Sequence, residues 1–315
     1  MHSFSTLVRH AQRALSPAGP GAENAAEVEE TAAVDEALID ADALLDAQAI
    51  DAVVSSDATP VSAASEPHPE LLALDALRGA QLGNALHAVF EHRVPGTPVQ
   101  AQLPLLLRAF QTHYVRLRQA GGEYLVALWA ARIDAALAAD LGAGLRLVDL
   151  SPAAQCAEME FHFAVDRLPL DTLRGICRLH GAATLIPEQL GQASLNGLVT
   201  GKIDLVLEHG GRFHLLDYKG NALGILLEDY LPDALEQAMD AHHYRFQALI
   251  YTLAVDRMLA MRIPTYQRAQ HLGDAIYLFV RGAGLASGAG VWRHRFDDAL
   301  IEDLQRALSI AERAQ

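Results

Sequence analysis

The sequence predicts an α/β domain with a mixed central sheet flanked by helices and extra helices on its N-terminal side. Three observations lead there. From about Leu71 onward, segments with helical apolar spacing are interleaved with strand-like runs. Two of those runs meet at Gly210-Gly211, a pair suited to a hairpin turn. About half of the 315 residues are apolar (51%), enough for a sizeable core.

Each element follows from its own pattern. Residues 1–15 read as a short amphipathic helix. Residues 16–70 are rich in Ala, Asp, Glu, Pro and Ser, with almost no aromatic side chains and no Lys or Arg. Such a stretch cannot bury enough apolar surface to offset its ordering entropy, so an acidic, Ala-rich flexible linker is expected. Leu82 to Arg93 has helical spacing, with Leu82, Leu86, Val89 and Phe90 on one side. Residues 102–119 and 123–141 read as two further helices, split at Gly121-Gly122. Met159 to Val165 reads as a strand. Gly201 to Leu207 and Arg212 to Lys219 form the hairpin. One long helix is expected from Pro232 to about Ala260, with proline in its first turn. Ala275 to Val280 is a strand, and Asp297 to Ala314 a closing helix.

Charge and cysteine content narrow the class. The formal net charge is −15, against the strong basic excess of proteins that bind nucleic acid by phosphate contacts alone. The excess is uneven. Residues 1–70 hold 13 acids and two arginines, while residues 71–315 hold 26 acids and 22 Lys plus Arg. The larger part is near balance and can present a local basic face. Two cysteines, Cys156 and Cys177, read as two reduced core thiols of a cytosolic protein and cannot supply a four-thiolate metal site. No apolar run is long enough for a transmembrane helix, and Met1 to Phe4 lacks the look of a secretory signal.

The chemistry concentrates in the hairpin. Alternation puts Phe213, Leu215, Asp217 and Lys219 on one face of the second strand, and His214, Leu216 and Tyr218 on the other. In the first strand Lys202, Asp204 and Val206 share a face between apolar Ile203 and Leu205. Hairpin register can bring Asp204 beside Asp217. Two carboxylates meeting at the end of apolar strands repel each other, and a divalent cation resolves that conflict; oxygen ligands suit Mg²⁺ or Mn²⁺. Of the 24 basic residues only Lys202 and Lys219 are lysine. A lysine is a compact, tunable charge beside such carboxylates, able to orient or help deprotonate an attacking water. A lone Asp-x-Lys reads first as an exposed ion pair; Asp204 in the paired strand weighs against that.

Several motifs in this order resemble a known family. Gly201-Lys202-Ile203-Asp204-Leu205-Val206 followed by Leu215-Leu216-Asp217-Tyr218-Lys219-Gly220-Asn221 is similar to the core of PD-(D/E)XK nucleases. The closer likeness is to the C-terminal nuclease domain of the RecB subunits of RecBCD helicase–nucleases (exonuclease V beta subunit). It extends over Gly83 to Glu91, over His242 to Tyr251 with its Gln-x-x-x-Tyr pattern, and over His271 to Gly282.

The resemblance implies a PD-(D/E)XK restriction-endonuclease-like core over 71–315. It implies an Mg²⁺-dependent deoxyribonuclease (Mn²⁺ also possible) in which His87, Asp204, Asp217 and the backbone carbonyl of Tyr218 bind the metal. Lys219 would position the nucleophilic water, and Gln247 and Tyr251 would line the DNA path. Their i, i+4 spacing places them on one helix face. As partners it implies DNA, single-stranded or unwound, and RecC- and RecD-type subunits acting in double-strand-break repair. No P-loop is present, so a helicase portion is expected elsewhere, and the chain reads as an excised or separately encoded nuclease module. Two other readings stay open: a catalytically inactive nuclease-like DNA-binding scaffold, and a stand-alone PD-(D/E)XK exonuclease. Without the resemblance, His87 reads as a locally bonded helix histidine. Glu91 is either its partner or a solvated acid. Arg108, Arg116, Arg118 and Arg281 are candidates for phosphate contacts, each alone reading as a solvated surface residue. His242-His243 reads as structural or DNA-facing, and the acidic stretch as a spacer or a DNA mimic.

Overall fold

A computed structural model describes residues 2–3, 66–117, 121–188 and 194–313. His2–Ser3 is a strand where a helix was expected, while the expectations for residues 4–15, for most of the acidic stretch and for Arg118 lie outside the described residues. The strands are β1 (His2–Ser3), β2 (Gln155–Pro169), β3 (Ser194–His209), β4 (Arg212–Lys219), β5 (Leu272–Phe279) and β6 (Val291–His294). The helices are α1 (Pro69–Leu74), α2 (Ala80–His92), α3 (Leu103–Thr112), α4 (Gly122–Ala138), α5 (Leu170–Leu179), α6 (Pro232–Ala241), α7 (Tyr244–Arg262), α8 (Arg268–His271) and α9 (Asp298–Arg313). No helix among the described residues is long and apolar enough to cross a membrane.

The sheet is mixed and runs β1-β3-β4-β5-β6, with β2 also paired to β3. β2 and β4 run antiparallel to β3, β4 and β5 are parallel, and β6 is antiparallel to β5. The parallel pair needs a long connection, which α6, α7 and α8 supply. Gly210 and Gly211 turn the β3–β4 hairpin with φ of 60° and 77°, a backbone that side chains with a Cβ resist.

The sheet is buried on both faces, with period-two alternation. Leu215, Ala275, Tyr277 and Phe279 face a core shared with α5, α6, α7 and α9. Leu216, Tyr218, Ile276 and Leu278 face a second core shared with α2, α3 and α4. The helices thus form two outer layers around the expected sheet.

Further expectations are corrected. Of the two thiols expected in the core, Cys177 is buried but Cys156, on β2, is exposed. The helix expected over 102–119 ends at Thr112, because Tyr114 takes a left-handed φ of 58°. The single helix expected from Pro232 to Ala260 is two, α6 and α7, because His243 takes a left-handed φ of 58° between them. The strand expected at Met159 to Val165 is 15 residues long in β2, while α5 and β6 were not foreseen.

Candidate active site

β4 carries the alternation that the sequence implied. Asp217 and Lys219 follow Leu215 onto the α7 side, and Tyr218 points to the α2 side. The β3–β4 ladder ends at the pair Leu205 and Leu216, after which β4 continues along β5 alone. The hairpin is therefore forked at Asp204 and Asp217. The backbone N–H of Tyr218 crosses the fork and donates to Asp204 Oδ2 at 2.7 Å.

Asp204 does not keep the face expected of it. Ile203 and Val206 pack in one core while Leu205 and Leu207 pack in the other, so strict alternation breaks around Asp204. Across from it, β2 pairs at Ala157 and Met159 but skips Glu158, whose φ is 55°. The break turns the Asp204 carboxylate toward α2, where Oδ1 lies 3.1 Å from His87 Nδ1. α2 is docked there by Phe90, stacked on the Tyr218 ring with centroids 3.7 Å apart, and by Leu86. Glu158 pairs with Lys202. Burial pushes the Glu158 carboxyl above the usual range, opposed by its hydrogen bond to Lys202, and nearby Asp204 pushes it further up.

Lys219 is enclosed. Its side chain is 1% exposed, and Nζ lies 2.8 Å from Asp217 Oδ2 and 3.3 Å from Gln247 Oε1. The ammonium also sits 4.0 Å from the Tyr244 ring centroid and 5.3 Å from that of Tyr277. Gln247 is fully buried and ties this group together. Its Oε1 also accepts from the Tyr277 hydroxyl at 3.0 Å, and its Nε2 donates to Tyr251 Oη at 3.1 Å. The i, i+4 relation of Gln247 and Tyr251 is therefore a real contact, made beneath Lys219 inside the fold. Tyr244 Oη donates to Asn221 Oδ1 at 3.2 Å, which fixes the loop after β4. Tyr244, Tyr277, Asn221 and Glu158 were missed in the sequence. A buried tyrosine needs a partner for its hydroxyl, and that was the available signal.

The donors fall into two pairs, Asp204 with His87 and Asp217 with Lys219, joined through Tyr218. Among the described residues no group of three or more His, Cys, Asp or Glu side chains is arranged to hold a metal ion. Two carboxylates, an imidazole and an adjacent main-chain carbonyl fit a hard divalent cation in kind. They do not form a closed shell around one.

The remaining candidates separate by burial. Arg108 and Arg116 are exposed. Arg281 is not a solvated residue but 2% exposed, its guanidinium bound to main-chain carbonyls. Glu91 is exposed, 3.7 Å from His92, in keeping with a solvated acid. The His242 ring stacks on Tyr244 at 5.1 Å, and His243 forms the bend before α7.

Comparison with known proteins adds relatives to this geometry. Residues 66–314 match the PD-(D/E)XK nuclease superfamily. The chain is 33% identical over 256 residues to the RecBCD enzyme subunit RecB of Haemophilus influenzae, covering 79% of this chain and 20% of that protein. It is 35% identical over 231 residues to the RecBCD enzyme subunit RecB of Escherichia coli K12, covering 72% and 19% respectively. A third such subunit, from Mycolicibacterium smegmatis, is 31% identical over 231 residues, covering 65% and 21%. The chain spans about a fifth of the length of these relatives.

Proposed function

The chain belongs to the PD-(D/E)XK nuclease superfamily, and from that premise we propose that it is a divalent-metal-dependent deoxyribonuclease, the nuclease module of a RecBCD-type enzyme. One observation carries the reading: a buried Asp217–Lys219 pair joined to Asp204 and His87 through the Tyr218 backbone. A solvated ion pair on a strand end needs none of these supports.

In this reading His87, Asp204, Asp217 and the Tyr218 carbonyl hold Mg²⁺ or Mn²⁺. When bound, such an ion would supply Lewis-acid chemistry for a phosphoryl oxygen and for water. The protein's own groups do the rest. Asp217 and Gln247 hold the Lys219 ammonium in place, and the rings of Tyr244 and Tyr277 exclude water from its far side. A fixed ammonium offers donors to negative charge developing on phosphate and orients the nucleophile without reorganising. Gln247 and Tyr251 act from beneath, as supports of Lys219 more than as a wall of the DNA path. By likeness to the RecB subunits, the substrate is DNA, single-stranded or unwound, the partners are RecC- and RecD-type subunits, and the work is DNA repair in the cytoplasm.

The test is cleavage of linear and circular single-stranded DNA with Mg²⁺, beside Asp217→Ala. Loss of a metal-holding carboxylate should raise the barrier by several kcal/mol, and cleavage should fall by orders of magnitude with the fold intact. Undiminished cleavage by a folded Asp217→Ala protein would refute the assignment. A second reading, a DNA-binding scaffold that does not cut, draws support from the lack of a three-donor group among the described residues. Binding of Mn²⁺ that depends on Asp204 decides between them: a scaffold binds none there.

A further inference from the structure

Arg281 follows β5 and ties together parts of the chain that lie far apart in sequence. Its Nε donates to the Gly220 carbonyl at 2.9 Å, Nη1 to that of Leu74 at 2.9 Å, and Nη2 to that of Leu77 at 2.5 Å. The guanidinium carbon lies 5.1 Å from the Trp129 ring centroid in α4. Gly220 directly follows Lys219. Leu74 closes α1, and Leu77 lies in the turn that launches α2, the helix that carries His87. Only a rigid fork with several donors can span three such carbonyls at once.

The same junction is close-packed. A Cβ on Gly220 would lie 3.2 Å from Leu86 Cδ1 and 3.6 Å from the Gly83 Cα, both in α2. The lack of a side chain at Gly220 lets α2 approach the end of β4, and Arg281 fixes the helix launch against the same point. From this arrangement we infer that Arg281 is a positioning residue of the candidate site. It sets where His87 stands relative to the Asp217–Lys219 strand end, and touches neither metal nor DNA. This rests on the nuclease reading above.

Calorimetric Mn²⁺ binding to the full chain tests it. Arg281→Lys keeps the charge but cannot span three carbonyls. The expected result is a folded protein with Mn²⁺ affinity weaker by on the order of tenfold, the size usual for groups that orient ligands from behind. Combined with His87→Ala, the two losses should not add, because both act through one imidazole. A merely structural role predicts additive losses. Unchanged affinity in folded Arg281→Lys, or full additivity, overturns the inference. Should Arg281→Lys not fold, Gly220→Ala presses Leu86 at the same junction and should give the same non-additive loss; unchanged affinity there overturns the inference too. A wild-type chain that binds no Mn²⁺ sinks the nuclease reading, and this inference with it.

Discussion

Lys219 is one of two lysines in a chain that otherwise uses arginine for positive charge, and it is almost completely shielded from water. The compact ammonium lies against the rings of Tyr244 and Tyr277, contacts that a longer, planar guanidinium would have to displace. Lys219→Arg should therefore be as inactive as Lys219→Met in single-turnover cleavage, each slower by about 10² or more; near-normal cleavage by Lys219→Arg would show that charge alone suffices. The pairing of Asp217 with Lys219 was legible, because alternation along one strand is a local rule. The face of Asp204 was not. It depends on a left-handed residue, Glu158, in another strand, and nothing in the sequence of β3 reports it. Arg281 was misplaced for a similar reason: an arginine after a strand reads as solvated until three carbonyls are seen to surround it.

At the level of elements, α2 is held to β4 by a side-chain stack. The Phe90 and Tyr218 rings are stacked 3° from parallel and both are buried. Phe90→Ala removes that contact and leaves a cavity, which should destabilise the domain by about 3–5 kcal/mol in urea unfolding. A loss below about 1 kcal/mol would mean that α2 is anchored elsewhere. The hairpin was readable because Gly210-Gly211 announces a left-handed turn. The bend between α6 and α7 was not, because His243 adopts such a backbone without being glycine. β6 is four residues long, too short for a pattern. α5 did leave a signal, Leu170, Leu173 and Cys177 on one buried side, that could have been read.

Across the whole molecule, a sheet covered on both faces has to hide its polar side chains as well. His214, on β4, is buried and accepts the Asp274 N–H through Nδ1 at 2.9 Å. Burial lowers its pKa to about 4, with Arg293, His209 and Arg212 also disfavouring a second proton and Asp274 opposing them. An unfolded histidine takes up a proton as pH falls through about 6.5, and the folded one does not until about 4. The contribution of this group to stability is therefore full above about pH 6.5 and is lost progressively as pH falls toward 4. His214→Gln should flatten that part of the stability-versus-pH curve from urea titrations; an unaltered slope would place the acid sensitivity elsewhere. The two-faced sheet itself was foreseeable from its apolar strands, whereas which histidine it would trap was not.

Of the candidate ligands, the two aspartates and the Tyr218 carbonyl belong to strands, and His87 alone rides on a helix. The strand groups are bolted to the frame of the molecule. The imidazole sits on an arm that sets out where α1 hands over to α2, so a substitution that shifts this junction would displace one candidate ligand while the frame stayed whole.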